Sequence, residues 1–293
     1  MTARGLRIEA IAVWALLGVV AAEILVTYSR LPASELYHVS GSGFEAGAGR
    51  VLVYSNFPVA LAAIALLAFA AGTRLLMLAS ALLCVAVAWP GVVKQSDLDA
   101  RPVNAIAACG VAICLALTLL RAREGVSRGG HALGDRLRLA LGTVAVLISL
   151  PWIGADNGAF LNGVPILGRI FLTGQLRTQP GDPVPHHAVH HGHHHGMDGL
   201  LLFLTALLLS RALPAAAPRL RGCLAVYLGV VLAYGAANIV NDAWLEQVVK
   251  RGWTRHQVPD VTVPHAGVAW AVILVAGLCV WGVWFRRGQA PAA

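Results

Sequence analysis

The chain has 293 residues, of which 58% are hydrophobic and only 12% are charged, and its mean hydropathy is +0.71. A soluble domain carries about 25% charged residues, so this composition excludes an ordinary water-soluble globular enzyme. The formal net charge is +8. Because the basic residues lie between apolar runs, they indicate membrane topology, and we expect the lipid bilayer rather than nucleic acid as the partner.

Apolar runs long enough to cross a bilayer recur along the whole chain. About 30 Å of hydrocarbon needs about 20 largely apolar residues in a helix. We therefore expect one all-α transmembrane domain over residues 1–293, a polytopic bundle of about eight helices. The predicted spans lie at about 8–28, 51–72, 75–93, 103–120, 139–155, 196–213, 222–240 and 265–285.

The first apolar run is predicted to stay in the mature protein as a membrane helix. Its length of about 20 residues exceeds that of a signal-peptide core, which has about 7–15. It also contains Glu9 and Glu23, which a signal-peptide core would not carry.

The distribution of basic residues predicts the orientation of the bundle. With a cytoplasmic N-terminus, 13 of the 22 lysines and arginines fall in short inner connections and 9 fall in longer outer loops. The positive-inside rule therefore places both termini in the cytoplasm, as for a multi-pass protein of the bacterial inner membrane. Ten of the eleven histidines then lie on the extracytoplasmic side, and His131 is the exception.

A long outer loop, at about 156–197, carries most of these histidines. Its residues 163–174 are apolar but too short to span, so they are expected to lie along the interface or to dip partly into the bundle. Residues 179–185 contain three prolines, which exclude a regular helix. Seven histidines follow within 186–195, and the sixth membrane helix is expected to begin among the last of them, with Asp198 at its outer end.

The histidine run predicts a metal site, because neutral imidazole is the commonest metal ligand in proteins. On a helix, His190, His194 and Asp198 would share one face, and so would His191 and His195. Imidazole with carboxylate suits zinc, copper, nickel or iron, and the identity of the metal ion stays open. The candidate ligands are His190, His191, His193, His194, His195, Asp198, His265 and His38.

Two further acidic residues are candidates for an intramembrane role. Glu23 lies in the outer part of the first span, where an ionisable group is costly and usually functional. Asp242 follows the seventh span, where it could face the histidines, or could end that helix together with Asn241. Either carboxylate could relay a cation or orient a ligand.

Three functions are consistent with these patterns. The first is capture, transport or delivery of a divalent transition metal at the outer face. The second is a metal-dependent membrane enzyme that acts on a lipid or lipid-linked substrate, and the third is a non-catalytic protein that senses metal or pH through clustered imidazoles. The sequence has no phosphate-binding glycine loop, G-x-S-x-G or H-E-x-x-H motif, so it assigns no catalytic residue and no organic cofactor. It leaves the oligomeric state open.

Overall fold

Over the residues it describes, the protein is a helical assembly with two small two-stranded sheets. Six of its helical segments are long and apolar enough to cross a membrane, which supports the predicted multi-pass class. The structure is a computed structural model, and it describes residues 5–30, 39, 41–89, 92, 99–156, 161, 163–179, 182–189, 195–259, 261 and 266–287.

The helices follow one another along the chain with short turns at most junctions. Several are continued by a π-helical or 3₁₀ turn, so that two or three segments form one rod. The helices are α1 (Ile8–Arg30), α2 (Gly43–Tyr54), α3 (Ala60–Leu66), α4 (Arg74–Val85), α5 (Asn104–Arg123), α6 (Asp135–Asp156), α7 (Leu167–Phe171), α8 (His195–Ala212), α9 (Pro218–Ala243) and α10 (Val268–Val280). The strands are β1 (Leu6–Arg7), β2 (Val126–Ser127), β3 (Leu172–Gln179) and β4 (Asp182–Val189).

The six candidate spans agree in part with those predicted. They are Ile8–Arg30, Gly43–Phe69, Asn104–Arg123, Gly196–Ala215, Pro218–Val249 and Val268–Phe285. The helix Arg74–Ala88 is apolar but shorter, and α6 is not among the six. A count of eight therefore remains a prediction.

Two span boundaries differ from the prediction. The second span begins at Gly43 instead of 51, so Arg50, which lies just before the predicted span, is inside a helix. The seventh continues through a π-helical turn to Val249, so neither Asn241 nor Asp242 ends it. In both places the helix extends through polar or glycine-rich sequence because packing overrides local propensity.

Glycines allow the helices to approach one another closely, as membrane helices commonly do. Where α8 crosses α9, a Cβ at Gly235 would lie 2.7 Å from the backbone nitrogen of Phe203 and 2.8 Å from the carbonyl oxygen of Gly199. Where α9 crosses α10, a Cβ at Gly229 would lie 2.5 Å from the carbonyl oxygen of Gly277. The backbones themselves therefore form these interfaces.

Five charged side chains join several elements at one end of the bundle, which we call the arginine end. The buried Glu9 accepts hydrogen bonds from Arg7 at 3.0 and 2.9 Å and a further one from Arg211. Arg211 also donates to Asp135 at 3.3 Å, and Arg138 lies 3.4 Å from the same carboxylate. These contacts link the start of α1, the start of α6 and the end of α8.

The remaining contacts at the arginine end bring in the loop after α5 and the last helix. Strands β1 and β2 pair in parallel, with Leu6 opposite Val126. The Arg138 guanidinium lies 4.9 Å from the ring centre of Trp284, which follows α10. The beginning of the first described helix and the end of the last one therefore lie at the same end of the bundle.

The glycine contacts predict a position-specific effect within α9. Gly235→Ala should destabilise the protein by about 1–3 kcal/mol, because the added methyl group overpacks a backbone contact. Gly222→Ala is the matched control, since a Cβ there would meet nothing within 4 Å. Its methyl group should be neutral or stabilise the helix by up to about 1 kcal/mol. Thermal unfolding in detergent measures the stability of both variants. Equal melting temperatures for the two would contradict the close packing of α9 against α8 at Gly235.

The carboxylate of Asp135 predicts a loss of stability in acid. Burial acts to raise the pKa of Asp135, but hydrogen bonds from the Ala132 N–H and from Arg211, with the nearby guanidinium charges, lower it below its ordinary value. A lowered pKa stabilises the fold at neutral pH, and this stabilisation is lost as the pH falls below about 4 towards the pKa of the folded state.

The test compares wild type with Asp135→Asn in thermal unfolding between about pH 7 and 3. The variant should be less stable at pH 7 and should lose less stability on acidification, so that the two curves converge. Glu124→Gln is the control, since Glu124 pairs with Arg121 on an exposed surface and should retain the wild-type profile. Parallel profiles for wild type and Asp135→Asn would show that Asp135 does not cause the loss of stability in acid.

Candidate functional site

Four ionisable side chains from three helices come together near the start of α8. They are Glu23 of α1, Arg50 and Tyr54 of α2, and Asp198 of α8, and we call them the buried charge cluster. Arg50 is 3% exposed, Tyr54 4% and Asp198 6%, while Glu23 is half-buried. Tyr54 interacts electrostatically with the other three groups, and Asp198 interacts with Arg50.

The packing of α1 against α2 positions the first three members of the cluster. A Cβ at Gly47 would lie 2.5 Å from the carbonyl oxygen of Leu25, so this glycine lets the two helices touch. Three residues later, the Arg50 guanidinium lies 5.4 Å from the ring centre of Tyr28. Since Arg50 and Tyr54 are four residues apart, they lie on one face of α2.

Helix α1 also supplies the contacts of Glu23. The Thr27 hydroxyl, one turn further on, donates a hydrogen bond of 3.0 Å to the Glu23 carboxylate. Thr27 is itself buried. A residue of the same helix therefore helps to orient the carboxylate, while the charge of Glu23 acts on Tyr54 of the neighbouring helix.

Asp198 lies in the first turn of α8, where the helix dipole favours a negative charge. Among the described residues, its Oδ1 atom has no hydrogen-bond partner, and neither has the Tyr54 hydroxyl. A buried polar atom without a partner is costly, so such a position commonly marks a bound water or ion. The Asp198 carboxyl group can hold a cation or a proton at this oxygen atom.

The structure confirms two features of the predicted sixth span and adds residues that sequence reasoning missed. Helix α8 begins at His195 and has Asp198 in its first turn, as expected. Arg50 and Tyr54 were not predicted, although their i, i+4 spacing at the start of an apolar run is a usable signal. Asp242 is buried on α9, but it is not among the charges that act on Tyr54 or Asp198.

Most of the predicted metal ligands lie outside the described residues. These are His38, His190, His191, His193, His194 and His265. Only the backbone of His195 is described, at the start of α8. Within the described part of the chain, no group of three or more His, Cys, Asp or Glu side chains could hold a metal ion. The metal site therefore remains a prediction.

Two other histidines lie on a β-hairpin that we did not predict. Strands β3 and β4 are antiparallel, with Arg177 opposite His186 and Leu176 opposite His187. The His187 Nδ1 atom lies 3.0 Å from the carbonyl oxygen of Thr173. The expectation of an all-α fold is thus wrong for this segment, because its prolines exclude a helix yet are tolerated in a two-stranded ribbon.

The hairpin and the helix before it contact the segment that continues α9, through Gln247 and Arg251. The apolar segment before the hairpin forms the short helix α7, and its predicted interfacial or re-entrant position stays a prediction. Arg251 donates hydrogen bonds to the carbonyl oxygens of Arg169 at 2.9 Å and Leu172 at 3.0 Å, and Gln247 donates to that of Phe171 at 3.2 Å. These contacts satisfy carbonyl groups at the end of α7, which would otherwise lack partners.

The buried charge cluster predicts a strong and asymmetric effect of single substitutions. Arg50→Leu should destabilise the protein by about 3–5 kcal/mol, because it leaves the buried carboxylate of Asp198 without its compensating charge. The double variant Arg50→Leu/Asp198→Leu should recover part of that loss, since it removes the positive and one negative charge together. Arg30→Leu, at the exposed end of α1, is the control and should have little effect.

Thermal unfolding of the four proteins in one detergent gives the comparison. A double variant that is no more stable than Arg50→Leu would show that Arg50 and Asp198 do not compensate each other, and would contradict the cluster.

Comparisons with known proteins add no assignment of function. No family model matches the chain, and comparisons with curated proteins and with solved structures find no significant similarity. A fold alone does not define an activity, so function has to follow from the chemistry of a site. The buried charge cluster and the histidine run that precedes α8 are the features that bear on it.

Proposed function

We propose that this multi-pass membrane protein handles a divalent transition metal, which it captures at its histidine run and then transports or delivers. The observation that supports this most directly is the position of Asp198. Its carboxylate is buried, has an oxygen without a partner among the described residues, and follows the last histidine of the run by three residues. A metal ion released by the imidazoles would meet this carboxylate first.

The capture step relies on imidazole chemistry. The proposed ligands are those predicted from the sequence, with His190, His191, His193, His194 and His195 in the run itself. His38 and His265 would complete the shell from other loops. Neutral imidazole with one carboxylate binds zinc, copper, nickel or iron, so the class of metal follows from the donor set while its identity does not.

The transfer step relies on the buried charge cluster. Asp198 lies three residues after the start of α8, and Glu23 lies seven residues before the end of α1. At 1.5 Å per residue these distances correspond to about 5 Å and 10 Å along the helix axes. The two carboxylates thus form steps of increasing depth, and buried ionisable groups in membrane helices commonly mark ion paths. This arrangement favours passage of a cation over a metal enzyme with a closed site.

The topology predicted from the sequence completes the proposal. The end of the bundle where α8 begins would face the extracytoplasmic side of a bacterial inner membrane, and both termini would be cytoplasmic. A total of eight spans would include α4 and α6 beside the six candidate spans.

Metal analysis of the purified protein tests the capture step. After loading with zinc, copper, nickel or iron(II) one at a time and then dialysis, wild type should retain about one ion per chain of at least one metal. His194→Ala/His195→Ala should retain several-fold less, because it removes two imidazoles of the run. The control is His131→Ala/His256→Ala, which removes two exposed histidines elsewhere and should bind like wild type. A wild type that retains no metal, or a variant that retains as much, would refute the proposal.

The transfer step has a separate readout in the same preparation. Asp198→Asn should still retain metal, because the imidazoles of the histidine run remain, but it should slow the entry of metal into proteoliposomes that contain a metal-sensitive dye. Unchanged entry would contradict the role of Asp198, and the absence of entry by wild type would exclude transport.

A further inference from the structure

The loop between α5 and α6 is held in place from several sides at the arginine end. Leu6 of β1 pairs with Val126, and its N–H donates to the carbonyl oxygen of Gly125 at 2.9 Å. Arg211 donates to the carbonyl oxygen of Gly130 at 3.0 Å. Gly134 has a positive φ of 83° and lies directly against Trp284, because a Cβ there would be 2.3 Å from the indole nitrogen. The loop therefore presents its side chains from a fixed backbone.

The acidic residues of this segment are already occupied by ion pairs. Glu124 pairs with Arg121 at 2.8 Å. Asp135 pairs with Arg138 at 3.4 Å and with Arg211 at 3.3 Å. Neither carboxylate is thus left to neutralise a further cation.

Three arginines on the same segment have no such partner. Arg123 ends α5, Arg128 follows β2, and Arg136 is the second residue of α6, and all three side chains are exposed. Within the described part of the chain none of them makes a hydrogen bond or an ion pair. Their guanidinium groups are therefore available to an anion from outside the protein.

Exposed aliphatic side chains alternate with these arginines. Val126 is 55% exposed, Leu133 64%, Leu137 49% and Leu139 72%. At a water-facing surface this much exposed aliphatic area would be unfavourable. Beside the ends of apolar helices, the same pattern matches the boundary between hydrocarbon and headgroups, where lipid phosphates lie.

We infer that Arg123, Arg128 and Arg136 form a binding surface for the phosphate of anionic phospholipids, with the neighbouring aliphatic side chains against the acyl chains. A guanidinium group binds phosphate oxygens in bidentate fashion, which favours arginine for this purpose. The occupant is a lipid because the aliphatic side chains would give a free phosphate ion no contact. This surface is independent of the proposed metal function.

The test counts lipids that remain bound to the purified protein. Protein is equilibrated in mixed micelles of phosphatidylglycerol and phosphatidylcholine at a ratio of about 3:7, and bound lipid is counted by native mass spectrometry. Wild type should retain phosphatidylglycerol in excess of its share of the micelle. The variant R123Q/R128Q/R136Q should lose most of that excess, about three-fold or more. A triple variant with lysine at these positions should recover part of it.

The matched control removes three exposed arginines elsewhere, in R30Q/R169Q/R255Q. It lowers the net charge equally and should bind phosphatidylglycerol like wild type. Equal loss in the control would show a general charge effect, and unchanged retention in the loop variant would show no site; either result overturns the inference. Loss of the bound lipid on adding millimolar inorganic phosphate would also overturn it, in favour of a free-phosphate site. If the loop triple does not fold, R128Q is measured against R255Q with the same criteria.

Discussion

The cost of placing charge inside an apolar helix bundle is the constraint on which the rest of this structure depends. An isolated ion in a low-dielectric interior is unfavourable by many kcal/mol, so buried ions occur with partners or with a function. Arg50 has the buried carboxylate of Asp198 beside it, and the charge of Glu23 also acts on their neighbour Tyr54. Three helices have to keep their relative positions for these charges to compensate one another.

Close helix contacts make that compensation geometrically feasible. Gly47 brings α2 against α1, and Gly199, the neighbour of Asp198, brings α8 against Gly235 of α9. Larger side chains at these positions would separate the helices that carry the charges. The glycines therefore serve both packing and electrostatics. In a low-dielectric interior the attraction between opposite charges is strong, so moving the helices apart would cost much of it.

The sequence predicts the membrane class, most spans and two members of the cluster, but it does not predict what surrounds them. Hydropathy locates α1, α5 and α8 because every apolar residue in a run contributes to the same signal. It misses the start of α2, where Arg50 lowers the local hydropathy; this buried arginine interacts with Tyr28 and with Asp198, and Asp198 is distant in sequence. It also misses the β3–β4 hairpin. Prolines exclude a regular helix, but they do not identify which segments pair as strands.

The two ends of the bundle use the same residue types in different arrangements. At the arginine end, Glu9 and Asp135 are matched by Arg7, Arg138 and Arg211, and both carboxylates accept several hydrogen bonds. Such a network holds elements together, and among the described residues neither Glu9 nor Asp135 has a buried oxygen atom without a partner. At the other end, Arg50 acts electrostatically on Asp198, and Asp198 has an oxygen atom with no hydrogen-bond partner among the described residues. A cation or a proton can bind at this oxygen atom, and for this reason we place the functional chemistry at this end.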